Sequence, residues 1–161
     1  MACPLCQTLD QIRDGEFPRH VISLEHCEVI LHDNQVCPGW CVLVLKGHAE
    51  HAAELSPEVE HAVFAEAARV GRALRAVFAE SGAVVDGRAT PVRINYGNLG
   101  NVVGHVHWHV VPRHVGGGAG IAPDPEPREV PWKLKTVEMD AGAMRALAAR
   151  IAGAIRAADS H

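Results

Sequence analysis

The stretch Gly104-His105-Val106-His107-Trp108-His109-Val110-Val111-Pro112-Arg113 governs the reading of this chain. Its strict alternation predicts a β-strand, in which residues i, i+2 and i+4 point to one face. His105, His107 and His109 then line one side, and Val106, Trp108 and Val110 line the other. Three imidazoles backed by large apolar groups suit a metal site, a nucleophile with its helpers, or both. Neutral imidazole can attack a phosphorus or carbonyl centre and split one hard step into two through a covalent intermediate.

Upstream, residues 91–96 read as a strand that leads through Gly97-Asn98-Leu99-Gly100-Asn101 into the histidine strand, a hairpin-like unit. Segments 19–24 and 26–32 read as short strands, separated by turn signals from 40–46, an apolar strand buried on both faces. Ser56-Pro57-Glu58 is a helix start, and Val59, Val63, Ala67, Val70, Leu74, Val77 and Phe78 continue it at helical spacing. That predicts a long helix over 57–80, stopped at Gly82. Residues 115–133 turn Gly- and Pro-rich and read as loop. A last helix from about Asp140 carries Met144, Leu147, Ala148, Ile151 and Ile155 on one face. The order β-β-β-α-β-β-loop-α predicts an α+β domain with a mainly antiparallel sheet.

A length of 161 residues fits one domain with its own core, and 48% hydrophobic with 21% charged residues is ordinary for a globular protein. The formal net charge of −4, without a Lys/Arg stripe, argues against nucleic acid as a partner. Small phosphorylated ligands stay open, because a few positioned donors hold them. No apolar run approaches the ~18–20 residues that span a bilayer, so no membrane partner is expected. The N-terminus shows no signal-peptide pattern. With 5 cysteines, that points to reduced thiols in the cytoplasm. Cys3-Pro4-Leu5-Cys6 is a Cys-x-x-Cys pair, able to chelate a tetrahedral Zn²⁺ that then needs two more ligands. A redox dithiol would be favoured by a following βαβ pattern, which is missing. Cys27, Cys37 and Cys41 read as core thiols, and His20, His26, His61, His114 and His161 as surface groups.

His105-Val106-His107-Trp108-His109-Val110-Val111 resembles the His-φ-His-φ-His-φ-φ signature of the histidine triad (HIT) family of nucleotide hydrolases and transferases. Pro112-Arg113, Asn95 and the Gly-rich loop also fall where that family has them, and the likeness runs over roughly residues 3–113. The resemblance implies a HIT-like fold: an antiparallel sheet of about five strands, one long helix and an additional C-terminal helix. Residues 1–113 would form the catalytic domain, with 114–161 packed on it. His107 would be the nucleophile that becomes nucleotidyl-histidine, and His109 a donor to the phosphate oxygens. Asn95 would hold the hairpin or the phosphate. The backbone of Gly100, Asn101 and Val103 would offer an anion nest. His32 and Asp33 would face the ribose. Some HIT-like branches bind structural zinc through such a Cys pair, a His after the buried strand and the first triad His. Here these are Cys3, Cys6, His48 and His105, with His51 as the runner-up for His48. Homodimers are common in the family, and an exposed sheet edge suits one here.

Two departures from the family pattern stand out. Asn101 and Val102 occupy places often held by Gln and then Ser or Thr, which removes a hydroxyl that assists the leaving group. Trp40 stands where some members carry a further His on the buried strand. The implied activity is hydrolysis at the α-phosphate of a nucleotide, as dinucleoside polyphosphate, phosphoramidate or aminoacyl-adenylate. The alternatives are a nucleotidyltransferase of the same chemistry, although transferase branches often end the triad in Gln, or a nucleotide-binding sensor with slow turnover. A catalytic metal held by all three histidines is a further alternative.

Overall fold

The structure is a computed structural model that describes residues 3–79, 84–85, 88–89, 92–115 and 133–158. The Gly82 stop, His161 and nearly all of the Gly/Pro-rich stretch lie outside them.

The chain opens with a helix, α1 (Pro4–Arg13), with Pro4 in its first turn and Cys3 as N-cap. Three strands and a long helix follow in the expected order: β1 (His20–Ser23), β2 (Cys27–Leu31), β3 (Cys41–Leu45) and α2 (Pro57–Val77). An unpredicted two-stranded pair comes next, opening with β4 (Val84–Val85). Its partner is β5 (Arg88–Ala89), and β6 (Arg93–Gly97), β7 (His107–Arg113) and α3 (Ala141–Ala157) complete the order. The main sheet has strand order β1-β2-β3-β7-β6, and every neighbouring pair is antiparallel. The fold is α+β, as expected, with α1 as an unpredicted third helix. Its signal was present: Leu5, Leu9 and Ile12 recur at helical spacing behind a proline.

Each face of the sheet is covered by different elements. Leu5, Leu9 and Ile12 of α1, with Phe17, pack on Ile30, Val42 and Val44. On the opposite face, Val63, Ala67, Val70 and Leu74 of α2 share one core with Ile151 and Ile155 of α3 and with Val29, Leu31, Cys41 and Leu43. All five positions of both β2 and β3 are therefore buried. Full burial of each Leu or Ile is worth about 1.5–3 kcal/mol, so the α2/α3 face carries most of the packing energy. Helix starts follow local chemistry. Ser56 accepts from the Val59 amide, and Asp140 accepts from Gly142 and Ala143. Among the described residues no helix is long and apolar enough to cross a membrane.

Several boundaries differ from the sequence reading. Trp40 precedes β3 rather than opening it, because Gly39 turns the chain at φ +92°. A Cβ at Gly39 would collide with the ring of Phe78, so the turn also needs glycine for space. The helix α2 ends at Val77, short of residue 80. The ladder of β7 begins at His107, leaving His105 outside it.

Candidate functional site

Cross-strand register assigns the histidine face. His107 pairs with Val44 and His109 with Val42, whereas Trp108 pairs with Leu43 and Val110 with Cys41. Val42 and Val44 pack toward α1, so the two triad histidines share the α1 side of the sheet, with ring centroids 5.2 Å apart.

Just before β7, the chain meets the turn that follows β3. The Val106 amide donates to Ala49 O at 2.8 Å, and the Leu45 amide to Val106 O at 3.1 Å. That pairing brings His48 against His105, while α1 delivers Cys3 and Cys6 to the same point. Nδ1 of His105 lies 3.4 Å from Cys3 Sγ, 3.6 Å from Cys6 Sγ and 3.3 Å from His48 Nδ1. Cys6 Sγ lies 3.4 Å from His48 Nδ1. Tetrahedral zinc with Zn–N of about 2.0–2.1 Å and Zn–S of about 2.3 Å requires ligand atoms roughly 3.3–3.8 Å apart. These four separations meet that spacing, and all four ligand atoms lie within 4.8 Å of one another. His105 is fully buried, and its Nε2–H donates to Leu45 O at 2.8 Å, which leaves the Nδ1 lone pair toward the cysteines. His51 is instead the exposed N-cap of a short 3₁₀ turn (Ala52–Glu54), apart from this cluster.

His107 is half-buried, and its Nδ1 donates to the His105 carbonyl at 2.7 Å. A carbonyl can only accept, so the proton sits on Nδ1 and Nε2 carries a lone pair. His109 has the opposite polarity. Trp40 Nε1–H donates to His109 Nδ1 at 3.1 Å, and an indole has no acceptor to offer. Neutral His109 therefore carries its proton on Nε2. Burial first, then the nearby His107 and His32, hold its protonation down to about 4. The two adjacent rings thus carry one Nε2 lone pair and one Nε2–H.

Trp40 is fully buried and lies edge-on to His109, with centroids 5.6 Å apart. His32 stacks on its other side at 4.0 Å and 10°. Asp33 is largely exposed next to it. The Gly97–Gly104 loop turns at Gly100 with φ +56°, and Val102 within it is 96% exposed. Asn95, paired with Val111, shares the histidine face, where its Oδ1 accepts from Arg113 at 3.0 Å. Arg113 is buried.

Cys27, Cys37 and Cys41 are core thiols as expected, all buried. His114 corrects an expectation: it is 1% exposed rather than on the surface, because the end of β7 runs beneath the Pro38–Gly39 turn. Its Nε2–H donates to Pro38 O at 2.8 Å, and its ring meets Phe78 edge-on. The bond from Trp40 to His109 spans 69 residues and two strands, and no local pattern announces it.

The HIT domain family model matches residues 15–116. Among solved structures, the chain is similar to a histidine triad protein from Sinorhizobium meliloti 1021, with 25% identity and a TM-score of 0.64 over 82% of this chain and 85% of that one. A zinc-bound histidine triad family protein from Mycobacterium smegmatis aligns at 21% identity and TM-score 0.62, over 99% and 97% of the two chains. A hypothetical histidine triad nucleotide-binding protein from Sulfolobus tokodaii aligns at 20% and 0.62, over 93% and 92%. No curated protein matches.

Proposed function

Since this chain belongs to the HIT domain family, we propose that it is a nucleotide hydrolase acting through a nucleotidyl-histidine intermediate. The observation that carries this reading is the opposed polarity of His107 and His109: a Nδ1–H bond to His105 O on one ring, a Trp40 N–H bond to Nδ1 on the other.

In the first step, the Nε2 lone pair of His107 forms a bond to the α-phosphorus of a nucleotide anhydride, ester or amidate. The bond to the leaving group breaks, and that group departs with the electron pair and takes a proton from water. In the second step, water attacks the same phosphorus, loses a proton to solvent, and His107 leaves with its Nε2 pair restored. The His105 carbonyl stabilises the ring while it bears positive charge. His109 Nε2–H and the amides of Gly100, Asn101 and Val103 would bind the phosphoryl oxygens as charge builds on them. Asn95 would hold the phosphate or the hairpin, and His32 with Asp33 would face the nucleoside.

Cys3, Cys6, His48 and His105 would hold a structural Zn²⁺; bound there, it supplies a cross-link between α1 and the segment entering β7. The zinc-bound M. smegmatis neighbour shows that the same fold accommodates this metal. We also take residues 1–113 as the catalytic part, with 114–161 packed on it. A homodimer joined along the β6 edge, flanked by exposed Phe64 and Tyr96, fits the open end of the sheet. Reduced cysteines favour the cytoplasm.

The test uses adenosine 5′-phosphoramidate, diadenosine polyphosphate and an aminoacyl-adenylate as substrates. Wild-type protein should turn over at least one of them and show a mass increase of one nucleotidyl group after rapid quenching. His107→Ala should lose both signals while keeping its fold. Wild-type-like turnover in His107→Ala would sink the assignment. Tight nucleotide binding with turnover far below ~1 s⁻¹ on all three would favour the sensor reading.

A further inference from the structure

We propose that Trp40 is a positioning residue that holds His109 as the neutral, Nε2–H-bearing tautomer, so that the ring always offers a donor at the phosphoryl site. This rests on the reading of His109 as a phosphate donor, but the tautomer can be measured without any substrate.

The geometry is specific. Trp40 N–H lies in the plane of its ring and meets His109 Nδ1 at 3.1 Å, and the two rings cross at 65°. The ring of Trp40 packs with Cys37 and Val111, and its backbone is pinned by hydrogen bonds. Its amide donates to Cys37 O at 3.0 Å, and its carbonyl accepts from the His32 amide at 2.9 Å and from Gln35 Nε2 at 3.2 Å. Gln35 is buried, and its Oε1 also accepts from the Gly39 amide at 2.8 Å. His32 stacks on the outer face of the ring. A fully buried ring on a pinned backbone, stacked on His32, keeps one orientation, and indole N–H can only donate.

Chemistry then limits what His109 can be. A proton on Nδ1 would point at the indole N–H, leaving two donors face to face in a buried place. Both the Nδ1–H tautomer and the imidazolium are thereby disfavoured. Among the described residues, the titratable groups facing His109 are His107 on its own strand and His32 at the end of β2, and both oppose a further positive charge. A histidine in the place of Trp40 would not impose this, because imidazole both donates and accepts. Tryptophan at this position converts an adjustable contact into a fixed one.

The test reads the ¹⁵N spectrum of His109 in the full-length protein, assigned by loss of its signals in His109→Asn. Wild type should show a bare Nδ1 and a protonated Nε2 from pH 8 down to pH 5. Trp40→Phe keeps an aromatic ring against His32 and removes the N–H. A second variant, Trp40→benzothienylalanine, keeps the shape of the indole and replaces N–H by sulfur, so a packing defect cannot mimic the result. In both, His109 should titrate at a higher pH than in wild type and populate the Nδ1–H form. On whichever substrate wild type turns over, kcat should fall about tenfold, the size expected for one lost hydrogen bond, with KM changing less. A protonated Nδ1 in the wild type overturns the proposal, as does an unchanged His109 spectrum in the benzothienylalanine variant. Should the spectra behave as expected while His107→Ala retains turnover, the tautomer lock stands and the hydrolase reading fails.

Discussion

Nε2–H of His105 donates to the Leu45 carbonyl at 2.8 Å, and this one bond aims the other ring nitrogen at Cys3, Cys6 and His48. It also separates His105 from the two histidines that follow it. The first imidazole of the triad is turned toward α1, while the next two sit in the ladder of β7.

Zinc content and stability should follow from that arrangement. Purified protein should carry close to one zinc per chain by elemental analysis. Metal present at 100–1,000 times its Kd stabilises a fold by about 2.7–4.1 kcal/mol. For a chain of this size, chelation or Cys6→Ser should then lower Tm by roughly 5–16 °C. His51→Ala should leave both zinc content and Tm unchanged. Full zinc content in Cys6→Ser would refute the ligand set.

Acid should destabilise the fold through His109. Its protonation is held down to about 4, against an ordinary 6.5. Between those values the unfolded chain binds a proton that the folded chain refuses, so stability is complete above about pH 6.5 and declines as pH falls toward 4. The upper bound for this group is on the order of 3 kcal/mol. Urea unfolding at pH 7, 5.5 and 4.5 should show a steeper loss in wild type than in His109→Asn. Parallel losses would mean that the histidine is not held neutral. Comparing the two proteins cancels metal release, which both share.

Asn95 allows its two roles to be separated. Its Oδ1 accepts from the buried Arg113 at 3.0 Å. Asn95→Ala should cost about 1–3 kcal/mol by removing that acceptor from a buried cation. Asn95→Asp restores an acceptor, and should recover most of this stability. A carboxylate facing phosphate would nonetheless weaken nucleotide binding at least tenfold. Unchanged affinity in Asn95→Asp would leave Asn95 as a hairpin brace only.

The C-terminal helix should unfold with the rest. Ile151 is fully buried in the core that α3 shares with α2 and the sheet. Ile151→Ala should cost about 2–5 kcal/mol and preserve a single unfolding transition by circular dichroism. A separate early transition would show that residues 114–161 form an independent unit.

Much of the fold was legible in local pattern. Period-two alternation at 104–113 and helical spacing after Ser56 report which side of an element a residue faces; cross-strand register bears out the first and burial the second. The boundaries were less legible where glycine geometry intervenes, as at Gly39, which turns Trp40 out of β3. In α1 the helical signal of Leu5, Leu9 and Ile12 overlaps the Cys3-x-x-Cys6 pair, whose spacing fits a metal knuckle as well as a helix start.

By itself, the sequence determined the strands, the long helix, the family and the shared face of His107 and His109, because periodicity and motif are local properties of a chain. Only the tertiary structure decided what each imidazole does. His105 is turned toward Cys3, Cys6 and His48 because α1 and the 46–49 turn converge on it from distant parts of the chain. His109 is a donor at Nε2 because Trp40, from the neighbouring edge of β3, occupies its Nδ1. Tautomers are set by hydrogen-bond partners, and here the partner of His109 lies 69 residues away in the chain.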